Sequence, residues 1–504
     1  MAYASIAPRH LLDRELSPAQ ARWFFLLAVL AFALPFILAD YRYVDDNWRS
    51  ELDVQRAWRV EGRILAEVFY RIMTFSGVTV DIFPLPLLLA CVAMAFALAA
   101  LVKHYFIEPR LSHCLVVLPL WYSPMYLGNL TYQYDGPTMT LSMVAAIYAV
   151  IWRGRNTLLN VLVPGCLLGV ALCLYQVTVN VFVGLCCIEL IRAVRFQLPG
   201  RSVCSLLGRQ LGQLVLGLFV YYASAYQLMH TDRKGMLPLN AEGLGELGLR
   251  AGRIMHKISL FITDGNGWMW IALAVLAAIG YLWIALRQLR ALGLAGLGGV
   301  LIYLLVPLVL AFSIGGMILP FAEFTLEART LMGLSPVLVA LFYLAQFSLS
   351  RVHPRLEWLL VIPLMCMLSL SFVYGRVLAA QKTLERSLAQ DLHHDITRLP
   401  ELRNKPVYWT SVDCTGAWLP ALSGTLENLP ALRFVLSLKP CEMDTVENLT
   451  DLNLEANDDL FLRLMVHSTG QRLVDNKYYD IWLLNGYGYV NIKPVDKTPK
   501  LPSE

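Results

Sequence analysis

The sequence predicts a polytopic α-helical membrane protein with a small C-terminal α/β domain. Hydrophobic residues make up 57% of its 504 residues, charged residues only 15%, and the mean hydropathy is +0.55. This composition is not that of a soluble protein. Apolar stretches of the length needed to cross a bilayer begin near residues 23, 82, 111, 137, 157, 176, 205, 268, 291, 331 and 356. Since each crossing takes roughly 20 apolar residues, we expect about 11 transmembrane helices.

The distribution of charge predicts the orientation of these spans. With residues 1–22 in the cytoplasm, basic residues concentrate in the cytoplasmic connections, as the positive-inside rule requires. An odd number of spans then places the C-terminus outside, which is the periplasm if the cell is a bacterium. The net charge of +4 follows from this topology, so no nucleic-acid partner is expected. Glu189 and Glu357 fall inside predicted spans, near cytoplasmic ends where long side chains can reach the interface.

Polar composition divides the chain into a membrane region, 23–374, and a periplasmic tail, 375–504. The longest predicted outside loops of the membrane region are 40–81 and 230–267. The tail should contain a helix over 376–398 and short strands at 407–409, 434–436 and 489–492. Cys414 and Cys441 lie in this tail, in an oxidising compartment, and are candidates for a disulfide.

The first outside loop carries a helical pattern of apolar and charged residues over 54–72. Arginines and a glutamate alternate there with tryptophan, valine, leucine and isoleucine. Such a segment is typical of a helix that lies in the membrane interface, with its apolar face on lipid and its polar face over a cavity.

Asp45 and Asp46 follow the first span directly and form the best catalytic candidate in the chain. Adjacent carboxylates at a membrane exit are poor anchors, whereas an enzyme acting on lipid-carried substrates needs a base at that depth. The alternative is a solvated turn whose carboxylates cap a helix beginning at Asp46 and Asn47. The position between a span and an arginine-rich interface helix favours the catalytic interpretation.

Other polar residues on the predicted outer side have both a binding and a structural interpretation. Glu67 lies one helical turn after Arg63, so it either pairs with that arginine or contacts substrate. Tyr132, Gln133 and Asp135 form an aromatic and hydrogen-bonding set suited to a sugar, although tyrosines are also typical of interfacial belts.

Two further sites, the Tyr175–Gln176 pair and Arg329, also have both a binding and a structural interpretation. Tyr175 and Gln176 lie between two apolar runs, where a glutamine needs a sugar hydroxyl or a neighbouring helix as its partner. Arg329 enters a span from outside and either binds a lipid phosphate or anchors the helix while paired with Glu323 or Glu327. The histidines do not form a His-x-x-x-His pair with a third ligand, so neither a metal nor another cofactor is expected.

Several ordered motifs resemble a known family. They are Tyr43-Val44-Asp45-Asp46-Asn47-Trp48-Arg49, Gly62-Arg63-Ile64-Leu65-Ala66-Glu67, Asp81-Ile82-Phe83-Pro84-Leu85-Pro86, Asn129-Leu130-Thr131-Tyr132-Gln133-Tyr134-Asp135 and Leu174-Tyr175-Gln176. Together they resemble the Gtr-type O-antigen glucosyltransferases of bacteria and serotype-converting phages, a family similar in architecture to the C-type glycosyltransferases (GT-C).

The resemblance implies an inner-membrane transferase that moves a hexose, glucose by the family name, from undecaprenyl phosphate or a similar polyprenyl phosphate to lipid-linked O-antigen. Inversion at the anomeric carbon is implied, with Asp45 or Asp46 as base. Arg49 and Arg63 then lie near phosphate or hold the carboxylates. A polyprenyl phosphate leaves without the diphosphate charge that usually requires a metal, so metal independence is expected.

Two rival functions remain open at this stage. A lipid or polysaccharide transporter predicts charged residues within the spans and paired broken helices in two halves, and no such pair is apparent. A non-catalytic membrane scaffold predicts that Asp45→Ala and Asp46→Ala change nothing.

Overall fold

The computed structural model describes residues 15–49, 57–229, 235–403, 405–410, 423–436, 443–450, 452, 454–456 and 470–493. Two compact units divide the chain. The first contains residues 1–35 and 52–372, and the second contains residues 36–51 and 373–504.

Most of the described residues are helical. The helices have these bounds: α1 Pro18–Ala39, α2 Asp45–Arg49, α3 Ile64–Thr74, α4 Leu85–Tyr105, α5 Leu111–Val117, α6 Pro119–Tyr122, α7 Leu127–Leu130, α8 Asp135–Ile151, α9 Leu159–Leu174, α10 Thr178–Arg195, α11 Gly200–Ala223, α12 Ala241–Ser259, α13 Gly267–Leu292, α14 Leu294–Gly315, α15 Leu334–Val352, α16 Val361–Arg398, α17 Ser423–Asn428, α18 Ala431–Val435 and α19 Met443–Leu449. Short 3₁₀ turns join several of them, including Arg59–Glu61 and Ala328–Leu331.

Seven of the described helices are long and apolar enough to cross a membrane: α1, α4, α11, α13, α14, α15 and α16. The expected count of 11 is therefore not confirmed. The other four predicted stretches coincide with α5–α6, α8, α9 and α10, which are shorter or more polar. Pro119 and Pro124 break the run that begins at residue 111, and α10 carries Glu189, Arg192 and Arg195.

Close packing of α9 against α11 depends on small residues. A Cβ at Gly165 would lie 2.6 Å from Leu216 Cδ2, and one at Gly169 would lie 2.5 Å from Val220 Cγ1. These two glycines are four residues apart and so share one face of α9. This is the small-xxx-small pattern that lets membrane helices approach closely.

Glu189 and Glu357 are buried between helices, which differs from the expectation that they reach the interface. Glu189 is 5% exposed and pairs with His104, Arg153 and Arg192. Glu357 is 4% exposed and accepts hydrogen bonds from Ser112 at 2.6 Å and Gln346 at 2.9 Å. Partners within the protein satisfy both carboxylates, so neither needs water.

Both long outside loops predicted from the sequence, 40–81 and 230–267, contain helices. In the predicted interface segment, α3 turns Val68 and Ile72 outward, while Ala66, Glu67 and Tyr70 are buried. In the predicted loop 230–267, α12 is held by the buried Arg250, which donates to the carbonyls of Leu319 and Ala322 at 2.9 and 3.0 Å. The amphipathic pattern of 54–72 is therefore helical in part, and Gly62 interrupts it in the left-handed conformation.

The second unit contains a five-stranded mixed sheet. Its strands are β1 Val407–Thr410, β2 Leu454–Ala456, β3 Gln471–Asp475, β4 Tyr479–Leu484 and β5 Tyr487–Ile492, in the order β2-β1-β5-β4-β3. β1 is parallel to β2 and β5, whereas β3, β4 and β5 form an antiparallel meander. The C-terminal part of α16 packs on the sheet through Ala389, Leu392 and Ile396.

The predictions for this unit were partly right. The helix over 376–398 and the strands at 407–409 and 489–492 are confirmed. The predicted strand at 434–436 is wrong, because Pro430 starts helix α18, which includes residues 434 and 435. A short apolar run does not by itself distinguish a strand from a buried helix.

Candidate functional site

The Asp45–Asp46 pair lies at the start of the short helix α2, in the second unit. Asp46 is fully buried, and its Oδ2 accepts a hydrogen bond from the backbone N–H of Tyr43 at 2.9 Å. Asp45 is half-buried. Val44, directly before the pair, has a φ of 43°, which is unusual for a β-branched residue. The two carboxylates thus have different surroundings, and the backbone beside them is strained.

Contacts with α16 hold the segment that leads to this pair. The Tyr41 hydroxyl donates to Glu385 at 2.8 Å, and Lys382 Nζ lies 2.8 Å from Asp40 Oδ2. Burial, together with the Glu385 carboxylate, raises the pKa of Tyr41 well above its ordinary value, so this hydroxyl remains a donor at any physiological pH. Arg49 was predicted to lie near phosphate or to hold the carboxylates. It is 1% exposed, and its guanidinium carbon lies 4.6 Å from the centre of the Trp48 ring.

Asp135 is a buried carboxylate of the first unit. It lies in the first turn of α8, where the helix dipole favours a negative charge, and it is fully buried. The Trp58 indole Nε1 donates to its Oδ1 at 2.5 Å, and Arg63 Nη1 lies 3.4 Å from its Oδ2. An indole and a guanidinium from the segment before α3 therefore both bind this carboxylate.

A small aromatic core fixes that segment on the start of α8. Trp58 stacks on Tyr70 with ring centroids 4.5 Å apart, and the Tyr70 hydroxyl donates to the Tyr134 carbonyl at 2.6 Å. The Gln133 carbonyl lies 3.5 Å from the same hydroxyl. Because these contacts immobilise Trp58, they also fix the position of the indole N–H on Asp135.

Gly62 forms the turn that aims Arg63. Its φ is +73°, and a Cβ there would lie 2.7 Å from the Tyr221 hydroxyl. Gln176 Nε2 donates to the Glu61 carbonyl at 2.8 Å and lies 3.0 Å from the Tyr221 hydroxyl. The predicted alternatives for Gln176 were a sugar or a helix contact, and the observed partners are this turn and α11.

Arg63 contacts two carboxylates and a tyrosine ring. Besides Asp135, its Nη1 lies 3.2 Å from Glu61 Oε2, and its guanidinium lies 5.0 Å from the centre of the Tyr175 ring. The side chain of Arg63 is 15% exposed, whereas that of Asp135 is 1% exposed. The arginine thus remains accessible while its partner is not.

Arg329 lies on the 3₁₀ turn Ala328–Leu331 and has a similar arrangement. Its Nε lies 2.5 Å from Glu327 Oε2, as the pairing alternative predicted, and its guanidinium lies 4.6 Å from the centre of the Tyr132 ring. The Arg329 carbonyl accepts from Asn129 at 3.3 Å and from Tyr175 at 3.4 Å. These contacts link the turn to both tyrosines, so Arg63, Tyr132, Asp135, Tyr175 and Arg329 form one group, called here the arginine–tyrosine site.

Glu67 does not pair with Arg63. Its carboxylate accepts from Arg59 Nε at 2.8 Å and Nη2 at 2.7 Å, and it lies 3.1 Å from Arg71 Nε. The side chain is 2% exposed. This bidentate pairing fixes the 3₁₀ turn Arg59–Glu61 on α3, which is a structural role.

The structure therefore brings together predicted residues from four separate segments of the first unit. It also adds Trp58, Glu61 and Tyr221, whose polar contacts no local pattern indicated. Asp45, Asp46 and Arg49 belong to the second unit, and Cys414 and Cys441 lie outside the described residues. Among the residues that the structure describes, no three His, Cys, Asp or Glu side chains are grouped as metal ligands.

The apolar helices and the polar group at the start of α8 are typical of a polytopic membrane protein with a site for a polar ligand. The sequence profile of the family described as "Glucosyl transferase GtrII" matches residues 34–349. The chain belongs to the GtrII glucosyl transferase family, and the resemblance to Gtr-type glucosyltransferases is confirmed. The match includes both the Asp45–Asp46 pair and the arginine–tyrosine site.

The chain is also similar to a protein of Salmonella phage P22 described as "Uncharacterized 55.3 kDa protein in gtrB 5'region". The identity is 27% over 203 residues, which is 40% of this chain and 41% of the phage protein. The match thus spans less than half of that relative. No solved structure matches the chain.

Proposed function

We propose that the protein is an inverting glycosyltransferase that moves glucose from a polyprenyl phosphate, such as undecaprenyl phosphate, to lipid-linked O-antigen on the periplasmic face of the inner membrane. The observation that carries this proposal is the arginine–tyrosine site, in which two partly exposed guanidiniums lie over tyrosine rings beside buried Asp135. The GtrII membership supports glucosyl transfer.

The charges of the site fit a sugar phosphate better than a bare anion. Two guanidiniums, those of Arg63 and Arg329, lie beside three carboxylates, those of Asp135, Glu61 and Glu327. Carboxylates accept hydrogen bonds from sugar hydroxyls, tyrosine rings pack against sugar faces, and guanidiniums bind phosphate oxygens. Glu61 and Glu327 are 25% and 33% exposed, so a sugar can reach them.

In the proposed reaction, an acceptor hydroxyl attacks the anomeric carbon and displaces polyprenyl phosphate. The new C–O bond forms as the glycosyl phosphate bond breaks, a carboxylate takes the hydroxyl proton, and the guanidiniums stabilise the negative charge on the leaving phosphate. Asp135 is a poor candidate for this base because its carboxylate is fully buried and already bound to Trp58 and Arg63. We assign it the positioning of Arg63.

The base is proposed to be Asp45. Asp46 is fully buried with a backbone donor, which fits a residue that organises the turn. Asp45 is more accessible and follows a strained residue, a feature that often accompanies function. The two carboxylates therefore act as one base and one organiser.

The test is transfer by the purified full chain in lipid nanodiscs, supplied with polyprenyl phosphate glucose and lipid-linked O-antigen. We expect a glucosylated acceptor whose anomeric configuration, determined by NMR, is opposite to that of the donor, and undiminished activity in EDTA. Transfer of the donor across the bilayer without product would support a transporter instead. Retention of configuration, or loss of activity in EDTA that Mg²⁺ restores, would refute the mechanism.

A further inference from the structure

A polar cavity lies between the C-terminal part of α10 and the start of α11, with Arg153 from just beyond the end of α8. The arginine–tyrosine site lies at the opposite, N-terminal ends of α8 and α10. The polar cavity has a volume of about 540 Å³, within the range of small-molecule sites. Four arginines line it, Arg153, Arg192, Arg201 and Arg209, against the single carboxylate Glu189. The topology predicted from the sequence puts these residues on the cytoplasmic side.

The donors that surround this cavity are those that bind phosphate. Ser202 and Ser205 line it from the first turns of α11, a helix of 24 residues whose N-terminal dipole favours an anion. Glu189 is engaged by His104, Arg153 and Arg192, so it holds two of the arginines in place. The excess of guanidinium groups over carboxylates distinguishes this cavity from the arginine–tyrosine site.

An apolar cavity follows along the same two helices. It has a volume of about 240 Å³ and is lined by α10, α11 and α14, with Cys186, Leu190, Leu207, Leu214 and Val306 among its residues. On α10, Leu190 of the apolar cavity directly follows Glu189 of the polar cavity. On α11, Leu207 and Gln210 of the apolar cavity lie before and after Arg209 of the polar cavity, so neighbouring residues of the same two helices line both cavities. A phosphate site beside an apolar slot matches a phosphorylated lipid better than a free ion.

We propose that this pair of cavities binds an anionic phospholipid, with the phosphate among Arg153, Arg192, Arg201 and Arg209 and an acyl chain in the apolar cavity. The site is separate from the one assigned to glycosyl transfer and does not depend on that assignment. Charge-assisted hydrogen bonds give it affinity, and the apolar slot distinguishes a lipid from inorganic phosphate.

The test is native mass spectrometry of the purified full chain with phosphatidylglycerol, phosphatidylcholine or inorganic phosphate. We expect phosphatidylglycerol to bind at least about tenfold more tightly than phosphatidylcholine, and removal of two phosphate contacts in Arg201→Gln/Arg209→Gln to weaken it by about tenfold or more. The matched control is Arg287→Gln/Arg290→Gln, because both of these arginines are exposed on α13. This control should bind phosphatidylglycerol as the wild type does.

A second variant keeps the proposal testable if the double substitution unfolds the protein. Leu207→Trp fills the apolar cavity and leaves every arginine in place, so it should weaken phosphatidylglycerol binding. Equal binding of both phospholipids by the wild type would overturn the proposal. So would competition by millimolar inorganic phosphate that removes the bound lipid, or unchanged affinity in both Arg201→Gln/Arg209→Gln and Leu207→Trp.

Discussion

Asp135→Asn tests whether the buried carboxylate positions Arg63. The substitution keeps an acceptor for the Trp58 indole but removes the charge that lies 3.4 Å from Arg63 Nη1. Hydrogen bonds to charged groups contribute about 1.5–3 kcal/mol, and loss of this much transition-state stabilisation lowers kcat/KM by roughly 10- to 150-fold. Some loss of thermal stability should accompany it, because Arg63 has two carboxylate partners among the described residues and would lose one of them, keeping Glu61 at 3.2 Å.

A double-mutant cycle separates this role from general damage. Arg63→Gln, Asp135→Asn and the double variant are compared by kcat/KM for glucosyl transfer, with Asp264→Asn as the matched control because that aspartate is exposed. We expect a coupling of about 1–3 kcal/mol between the two positions, so that the double variant is hardly worse than either single variant. Additive losses, or Asp135→Asn behaving like Asp264→Asn, would refute the assignment.

Three further predictions concern the start of α2, the Gly62 turn and the sheet. Asp45→Asn should lower kcat by about 10²- to 10⁴-fold at unchanged thermal stability. Asp46→Asn should lower the free energy of unfolding by about 1–3 kcal/mol, because it weakens the buried hydrogen bond from Tyr43. A large loss of kcat in Asp46→Asn together with a loss of stability in Asp45→Asn would contradict the division of roles. Gly62→Ala should lower the free energy of unfolding by about 1–3 kcal/mol and reduce glucosyl transfer, since φ is +73° and the Tyr221 hydroxyl would lie 2.7 Å from the new Cβ. Gly77→Ala is the control, because a Cβ there would have nothing within 4 Å, and it should leave stability unchanged in the same thermal-unfolding assay. A hydrogen bond from Lys493, aided by Arg472, lowers the pKa of Asp475 below its ordinary value of 3.8. The stability lost in Asp475→Asn should therefore be seen at neutral pH and should vanish as the pH falls through that lowered pKa. A loss of stability that persists in acid would argue against the ion pair.

Patterns within single segments predicted much of the fold. Each of the 11 apolar stretches coincides with helical structure, because apolar runs of this length form helices whether they cross a bilayer or pack inside the protein. Their lengths were harder to predict. Pro119 and Pro124 divide one run. Glu189 of α10 is buried against His104 and Arg153, which lie 85 and 36 positions away in the sequence.

The candidate site was predictable only in its parts. The types and positions of Arg63, Asp135, Tyr175 and Arg329 indicated polar contacts near the outer ends of spans. Which residues pair depends on tertiary packing across up to 200 positions, as between Asn129 and Arg329. Glu67 illustrates the limit, since helical spacing favoured Arg63 but the 3₁₀ turn brings Arg59 to it instead.

The central claim is that Arg63 and Arg329 bind the phosphate of the sugar donor. The most direct measurement is kcat/KM for polyprenyl phosphate glucose with wild type, Arg63→Gln, Arg329→Gln and the exposed-surface control Arg287→Gln. At about 1.5–3 kcal/mol for each charged contact, each site variant should lose roughly 10- to 150-fold, and the control should match the wild type. Activity of both site variants equal to that of Arg287→Gln would contradict the proposed site.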